Sequence, residues 1–408
     1  MKTASAEAGK RSPLLTFEVG SRRRSLAVTL ACVIGARLFL TIYLAAAALL
    51  FPQPELVEQY ANTGVKLLDS GWEGLFLGVW QREDALWYEK IASAGYSSHD
   101  ITAGYFPLYP MLMRLLSQVT GLHPVASGIV ISEISLAIAL FLLHRLICLR
   151  FGFDVADRTL VYICIFPSSF FLHAPFSESL TLMLAILGFF LISNGRWAEA
   201  TIVAYFAGLC RPQGVLLGIP LAVQLLAGRK KFGQWRSFYW TPATLFRAIP
   251  ISVAPFFGLA TFGLLVDTPW LRGGFTGASG PMSHQSLSLP GVGLFNTAQQ
   301  ILAGAAHPID IYDFVIAVAF LAFTISGFGK LDAGLSIYAL FFIAAPLSRY
   351  SPVFPLMSFS RYALLLFPCF LVLATCGRSK IVHMAVIFFF IWWLAVWSAK
   401  FYTGYFVG

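Results

Sequence analysis

Long apolar runs alternate with short polar segments along almost the whole chain. There are about ten apolar segments, and most approach the ~20 residues that an α-helix needs to cross a bilayer. The runs are continuous, whereas strands of a membrane β-barrel alternate between apolar and polar positions. The pattern therefore predicts an all-α polytopic membrane protein with about ten transmembrane segments.

Clusters of basic residues indicate how these segments are oriented. The basic run 22–24 directly precedes the first apolar segment, which is too long for a cleaved signal peptide. Because cytoplasmic flanks are enriched in Lys and Arg, we expect residues 1–24 to form a cytoplasmic tail. Residues 25–408 would then form a single transmembrane domain, since no soluble domain or internal repeat interrupts them.

Two polar stretches are too long to be simple connectors. They cover residues 52–105 and about 267–308, and the basic flanks place both outside the cytoplasm. Within the first stretch, residues 84–94 are expected to form a short interfacial helix with Trp87 and Tyr88 on its apolar side. The sequence therefore predicts a long first extracytoplasmic loop with some structure of its own.

The apolar segment 200–226 must leave the cytoplasmic side and return to it, because basic residues flank it at both ends. Arg211-Pro212-Gln213-Gly214 divides it into two arms, each shorter than the ~20 residues of a standard span. Broken helices of this kind are tolerated in membranes where they are buried in protein or line a polar cavity. We therefore expect Arg211 at a helix break.

The composition excludes a soluble protein. Hydrophobic residues make up 58% of the chain and charged residues only 12%, against roughly 25% charged in soluble domains. The net charge of +9 is concentrated in short loops, where it sets membrane orientation, so no nucleic-acid partner is expected. The six cysteines lie in or beside apolar segments without metal-ligand spacing, and they are expected to be packing residues.

The expected topology brings several polar side chains to the extracytoplasmic face. Ionisable groups at the ends of membrane spans are costly unless they have a partner or a polar cavity. Arginine suits a phosphate because its fork donates bidentate hydrogen bonds, and a carboxylate suits the base that deprotonates an attacking hydroxyl. The pattern is typical of chemistry on a lipid-linked substrate with an anionic leaving group. The residues are Asp84, His173, Glu178, Arg211, Arg349 and Arg361.

Each of these residues is also compatible with a structural role. Asp84 and Glu178 could each cap a helix, and Arg361 could extend to lipid headgroups. His173 could be an ordinary loop histidine. Arg37 lies inside the first apolar segment and needs a partner there, either in the helix bundle or on a lipid phosphate.

Four motifs in order carry a resemblance to a known family. They cover most of the chain, and together they are fairly specific. The sequence is similar in these stretches to the PIG-V family, which contains the GPI mannosyltransferase that adds the second mannose and many prokaryotic relatives. The motifs are Trp80…Asp84-Ala-Leu-Trp87-Tyr88 with Phe106-Pro-Leu-Tyr-Pro110, Pro167-Ser-Ser…Ser177-Glu178-Ser-Leu180, Cys210-Arg211-Pro212-Gln213-Gly214, and Ser360-Arg361-Tyr362.

The resemblance implies a GT-C glycosyltransferase fold and an inverting transfer of mannose from a polyprenyl-phosphate donor to a lipid-linked or glycan acceptor. It implies that Asp84 deprotonates the acceptor hydroxyl and that Arg211 and Arg361 hold the donor phosphate. The family generally needs no metal, so neither a metal nor a cofactor is expected. The other side chains expected to contact donor or substrate are Glu178, Tyr88 and His173.

Some features depart from the family pattern or stay open. Glu83 stands directly before Asp84, so either acid could be the base, and we choose Asp84 because the family's acid aligns there. Gln213 replaces the usual Asn. The acceptor is undetermined, and mannose rather than another hexose is inherited from the resemblance. A prokaryotic plasma membrane is favoured over an endoplasmic reticulum membrane because the external loops lack an Asn-x-Ser/Thr sequon.

A transporter or flippase of lipid-linked sugars is the alternative function. Such proteins often contain repeated halves and carry charged groups near the membrane midplane. Here no repeat is visible, and the charged residues gather at one face beside a long first loop. The sequence therefore favours a glycosyltransferase that uses a polyprenyl-phosphate sugar and works among membrane lipids.

Overall fold

The structure of the chain is a computed structural model. The predicted tail 1–24 and the second loop fall partly outside the residues it describes, and the predicted domain boundaries stay predictions. The described residues are 19–51, 63–231, 233–266, 286–352, 354–405 and 407.

The described part of the chain is built almost entirely from helices. The first half contains α1 (Val19–Leu50), α2 (Gly71–Phe76), α3 (Asp84–Ala94), α4 (Leu108–Thr120), α5 (Pro124–Phe151), α6 (Phe153–Ile165), α7 (Phe170–His173), α8 (Glu178–Ser193) and α9 (Trp197–Gly208). The second half contains α10 (Gly218–Ala227), α11 (Pro242–Leu265), α12 (Val292–Leu302), α13 (Pro308–Gly327), α14 (Ala333–Leu347), α15 (Phe359–Ala363), α16 (Phe367–Cys376) and α17 (Lys380–Tyr402).

Short elements complete the fold. Two strands of two residues each, β1 (Ser286–Leu287) and β2 (Arg349–Tyr350), pair antiparallel, with Ser286 opposite Tyr350. The 3₁₀ helices are Gly78–Trp80, Ile101–Gly104, Pro212–Leu217 and Trp235–Ser237.

Five of the described helices are long and apolar enough to cross a membrane, namely α1, α5, α11, α13 and α17. Their apolar length and composition identify the chain as an integral membrane protein. Four shorter apolar stretches accompany them, and a total of about ten spans stays a prediction. These shorter stretches are Glu178–Ser193, Pro212–Ala227, Ala333–Leu347 and Phe367–Cys376.

The predicted break in the segment 200–226 is present. The helix α9 ends at Gly208, and Arg211 has an extended backbone with φ −162° before the chain resumes as a 3₁₀ helix. The chain folds back tightly here, because a Cβ on Gly214 would overlap the carbonyl of Ala207. The break therefore presents the Arg211 side chain between two helical arms, as expected for a residue beside a polar cavity.

The first polar loop has more structure than the sequence analysis predicted. The helix predicted at residues 84–94 is present as α3, and its interfacial position stays a prediction. The amphipathic helix α4, which follows this loop, was missed because the Pro-containing run 106–110 resembles a loop. The chain enters α4 through Pro107, and the Leu108 amide donates to the Leu209 carbonyl at 3.0 Å. This bond ties the first loop to the helix break before Arg211.

Aromatic side chains fill the interior next to that break. Phe171, Phe176 and Phe401 are at most 1% exposed, and their ring centroids lie 5.2 to 6.2 Å apart. Such edge-on and tilted aromatic contacts bury a large apolar area. These packed rings lie directly beneath a group of charged residues at the polar end of the bundle.

Candidate active site

Four charged side chains from distant parts of the chain meet at one place. Asp84 is the first residue of α3, Glu178 is the first residue of α8, Arg211 lies at the helix break, and Arg361 lies on α15. We call these four residues the four-charge cluster. Its two carboxylates and two guanidinium groups balance in charge, as buried ionic groups generally must.

Arg361 is the central member of the four-charge cluster. Its Nη2 lies 2.6 Å from Asp84 Oδ2, and its Nε donates to Glu178 Oε1. The same Glu178 oxygen contacts Nη1 of Arg211. Arg361 thus links the two carboxylates, and Glu178 links the two arginines. Because a guanidinium carries five N–H donors in a fixed fork, this geometry leaves donors available for a further anion.

Aromatic rings hold both guanidinium groups in position. The Arg361 guanidinium lies 4.7 Å from the ring centroid of Phe176 and 5.0 Å from that of Phe171. Arg211 lies 5.4 Å from the Tyr362 ring, and its Nε donates to Gln213 Oε1 at 3.2 Å. Cation–π contacts favour a fixed orientation of the guanidinium plane. The arginines are therefore oriented in advance for binding an anion.

The members of the four-charge cluster differ in their access to solvent. The Asp84 side chain is 27% exposed, while the Glu178 side chain is fully buried and that of Arg361 is 6% exposed. A group that exchanges a proton with a bound molecule must be reachable by that molecule. Asp84 is therefore the carboxylate best placed to meet a substrate, and Glu178 is placed to hold the arginines.

Electrostatic contacts keep the Asp84 carboxylate ionised. Burial alone would raise the pKa of Asp84, but the charge and hydrogen bond of Arg361 and the charge of Arg211 outweigh it. The result is a pKa below the usual value of an aspartate. A carboxylate with a lowered pKa is available as a proton acceptor at neutral pH, although its basicity is reduced for as long as Arg361 is engaged with it.

Two tyrosines extend the polar surface around Asp84. Tyr105 donates a hydrogen bond of 3.0 Å to Asp84 Oδ1, and the Tyr88 hydroxyl lies 2.9 Å from the Ser177 hydroxyl. Tyr88 also packs edge-on against Tyr105, with ring centroids 5.3 Å apart. Tyr88 therefore lies beside the cluster, and its role as a site residue stays a prediction. Tyr105 was missed, although it directly precedes the Phe106–Pro110 motif.

His173 does not contact the four-charge cluster. It is fully buried, and its Nδ1 lies 2.8 Å from Glu133 Oε1, while Arg37 donates to its backbone carbonyl at 3.0 Å. Arg37 also lies 3.5 Å from Glu133. This group gives Arg37 the partner that an ionisable residue inside an apolar helix needs. Glu133 was missed, although an acid within the apolar run 124–151 was a usable signal.

Glu83 and Arg349 have their own contacts. Glu83 Oε1 accepts a hydrogen bond of 3.0 Å from the Val407 amide, which ties the start of α3 to the end of the chain. Its backbone φ is +49°, a left-handed value that is uncommon for a residue other than glycine. Arg349 donates to the Tyr362 hydroxyl beneath Arg211. Asp84 thus lies against Arg361, while Glu83 binds the backbone amide of Val407.

Comparison with known proteins gives one family. The family model described as mannosyltransferase (PIG-V) matches residues 15–227, just over half of the 408 residues. No curated protein matches the chain. The matched region contains Asp84, Glu178 and Arg211, whereas Arg361 lies beyond it and joins them through the fold.

Proposed function

The chain belongs to the PIG-V mannosyltransferase family, and from this premise we propose that the four-charge cluster transfers mannose from a polyprenyl-phosphate mannose donor to a hydroxyl of a lipid-linked or glycan acceptor. The reaction takes place on the extracytoplasmic face of a GT-C-type helical bundle, in a prokaryotic plasma membrane. The mannosyltransferase family supports the sugar transfer. The orientation of the chain follows from its basic flanks.

In the proposed reaction, the acceptor hydroxyl oxygen attacks the anomeric carbon from the face opposite the phosphate. Asp84 accepts the hydroxyl proton as the new carbon–oxygen bond forms. The bond from the anomeric carbon to the phosphate oxygen breaks, and polyprenyl phosphate leaves with the electron pair. The configuration at the anomeric carbon is inverted. Arg361 and Arg211 stabilise the charge that develops on the leaving phosphate, which is the larger catalytic contribution.

Arg361 couples donor binding to the strength of the base. In the described arrangement its guanidinium lies on Asp84 and lowers the pKa of that carboxyl. The phosphate of the sugar donor competes for the same N–H groups of Arg361. Each hydrogen bond that Arg361 makes to this phosphate weakens its interaction with Asp84. The pKa of Asp84 then rises towards that of a more effective base. Deprotonation of the acceptor is therefore favoured after the donor has bound.

The observation that carries this function is the contact of 2.6 Å between the Asp84 carboxylate and the Arg361 guanidinium. The carboxylate is partly exposed, and aromatic rings hold the guanidinium in position. This pairing supplies a proton acceptor and a phosphate-binding group within the reach of one substrate. The 27% exposure of the Asp84 side chain also leaves this carboxylate reachable by an acceptor hydroxyl.

The test uses the purified full-length protein with radiolabelled polyprenyl-phosphate mannose and a lipid extract. We expect label to pass to an acceptor lipid with the wild type and not with Asp84→Asn. The matched control is Asp100→Asn, which removes an acid of the same loop that pairs with Lys90 at 2.8 Å. Transfer that persists at the wild-type rate in Asp84→Asn would contradict the assignment of the base.

A further inference from the structure

A cavity opens at the end of the helix bundle opposite the four-charge cluster. The helix α8 begins with Glu178 in the cluster and ends with Ser193 at the cavity. At 1.5 Å per residue, its 16 residues separate the two places by roughly 24 Å. The enclosed space is about 60 Å³, room for a few water-sized groups, so only part of a headgroup can enter it. It is therefore independent of the candidate active site.

The inner wall of the cavity is apolar. It is formed by side chains from three helices of the bundle, α5, α8 and α16, and all of them are buried or nearly so. Because these side chains offer no hydrogen bond, a polar headgroup is bound by the groups at the mouth rather than on this wall. The side chains include Leu143, Ile147, Phe189, Phe367 and Leu371.

The mouth of the cavity carries an excess of positive charge. Arg150 forms an ion pair with Asp332, whereas Arg229 has no ion-pair partner among the residues that the structure describes. Arg229 is also close enough to Arg150 for their charges to repel each other. Two neighbouring guanidinium groups with a single carboxylate between them favour a bound anion, and arginine is the side chain best suited to a phosphodiester.

The backbone holds Arg229 at this mouth. The Ala333 amide, at the start of α14, donates to the Lys230 carbonyl at 2.9 Å. The backbone of Lys231 also pairs with that of Asp332 in an isolated antiparallel β-bridge. Gly228 just before Arg229 has a φ of +59°, a left-handed value that glycine adopts without strain. The backbone that carries Arg229 is thus fixed against α14, and the exposed Arg229 side chain extends from this fixed point.

A buried amide at the cavity lacks a hydrogen bond. Gln224 lines the cavity and is 5% exposed, and its Nε2 donates to the Gly228 carbonyl at 2.5 Å. Its Oε1 has no hydrogen-bond partner within the described part of the chain. Leaving a buried acceptor unpaired costs about 1–3 kcal/mol, so a ligand with a hydroxyl group would satisfy it. This second observation indicates a headgroup that donates a hydrogen bond and also carries a negative charge.

We propose that this cavity binds one anionic phospholipid with a hydroxyl-bearing headgroup, of the phosphatidylglycerol type. The phosphodiester lies between Arg229 and Arg150, a headgroup hydroxyl donates to Gln224, and the acyl chains stay in the bilayer. The site anchors the non-catalytic end of the bundle to an anionic leaflet. It does not depend on the proposed sugar transfer.

The experiment measures lipid retention by native mass spectrometry of the purified full-length protein in neutral detergent, titrated with phosphatidylglycerol or with phosphatidylcholine. We expect one phosphatidylglycerol to be retained in preference to phosphatidylcholine. Arg229→Gln should weaken this retention roughly tenfold, as the loss of a charge-assisted hydrogen bond would. The matched control is Arg378→Gln, since Arg378 is an exposed arginine that does not line the cavity.

Two further arms make the result decisive. Ser193→Trp, which fills the mouth without a charge change, should weaken retention as well, and Arg229→Lys should restore part of it. Inorganic phosphate at matched concentration should not displace the lipid. Equal retention by Arg229→Gln, equal losses in Arg229→Gln and Arg378→Gln, or displacement by inorganic phosphate would each overturn the lipid assignment.

Discussion

The short helix α3 carries two carboxylates in opposite environments. Asp84 stands at its first position and contacts Arg361, which helps to hold the pKa of its carboxyl below the usual value. Glu89, five residues later, lies against Gln81 and His123. Its side chain is 5% exposed, and burial raises the pKa of Glu89 to about 7, against the lowering effect of the Gln81 hydrogen bond. Neighbours from other helices therefore decide what each acid can do.

The contrast separates a candidate catalytic carboxylate from a structural one. Asp84 has a lowered pKa, is partly open to solvent and has the guanidinium group of Arg361 beside it. Glu89 links α3 to the segment before it, because Gln81 donates to Glu89 Oε2 at 2.8 Å and accepts from the Leu68 amide at 2.8 Å. Its burial leaves no path for a substrate. Under the proposed function, the two ends of one helix thus serve chemistry and packing respectively.

The largest expected effect concerns the two acids of α3 directly. Asp84→Asn should lower the rate of mannosyl transfer by about 10²–10⁴-fold, because the proton acceptor is lost while the side-chain size is kept. Glu89→Gln in the same membrane preparation should change the rate at neutral pH by no more than about threefold. Glu89 takes no part in the proposed transition state, so its loss removes no interaction made there. Equal losses in both variants would remove the distinction between the two acids.

Removal of Arg361 should have the next largest effect. Arg361→Gln should lower the transfer rate by about 10²–10³-fold, as the loss of a group that stabilises charge in the transition state does. It should also shift the acidic limb of the pH–rate profile to higher pH, because the pKa of Asp84 rises when its strongest positive neighbour is gone. Arg361→Lys should restore the position of the limb better than the rate. An unmoved limb in Arg361→Gln would argue against the Asp84–Arg361 coupling.

Loss of Glu178 should act on stability. Glu178→Gln leaves Arg211 and Arg361 buried with one carboxylate fewer, and removal of one partner of a buried ion pair costs about 3–5 kcal/mol. Thermal unfolding in detergent should show a clear fall in Tm. Asp84→Asn is the matched comparison, and its fall should be smaller because Asp84 is partly solvated. A Tm equal to that of the wild type would show that Glu178 does not hold the arginines.

The smallest effect is a pH dependence of stability from Glu89. Because the folded-state pKa of about 7 lies above the unfolded value, the folded protein binds more protons between these pH values. The stabilising contribution of protonated Glu89 to the free energy of unfolding is therefore fully present below the unfolded pKa. It is lost as pH rises through about 7.

We expect Glu89→Gln to remove this part of the dependence, measured as the difference in Tm between wild type and variant across that pH range. His123, whose pKa is lowered by burial, contributes in the opposite direction. A difference in Tm that stays constant with pH would mean that Glu89 does not titrate with a raised pKa.

The sequence was sufficient for the local structure at the site and for the class of protein. The apolar pattern predicted an integral membrane protein, the helix at 84–94 and the break at Arg211, since these depend on hydrophobic periodicity and on Arg-Pro chemistry within a few residues. Basic flanks and the family resemblance placed Asp84, Glu178, Arg211 and Arg361 on one side. The structure brings all four into contact, while their individual roles stay predictions.

The remaining features depend on contacts between distant segments. Tyr105 reaches Asp84 only because α4 packs back against the helix break, and the Glu133 partner of Arg37 and His173 depends on how α1 and α5 cross. The opposed pKa shifts of Asp84 and Glu89 are set by residues from other helices. No pattern within a single segment reports such neighbours, because tertiary packing alone determines them.

The double variant Asp84→Asn with Arg361→Gln tests the central assignment most directly, because it removes both charges of the pair and preserves the balance of the four-charge cluster. The measurement is the rate of mannosyl transfer from labelled polyprenyl-phosphate mannose, taken together with Tm. We expect the double variant to unfold near the temperature of the wild type and to remain as inactive as Asp84→Asn. A double variant that regains transfer relative to both single variants would show that the pair only holds the fold together, and would contradict Asp84 as the base.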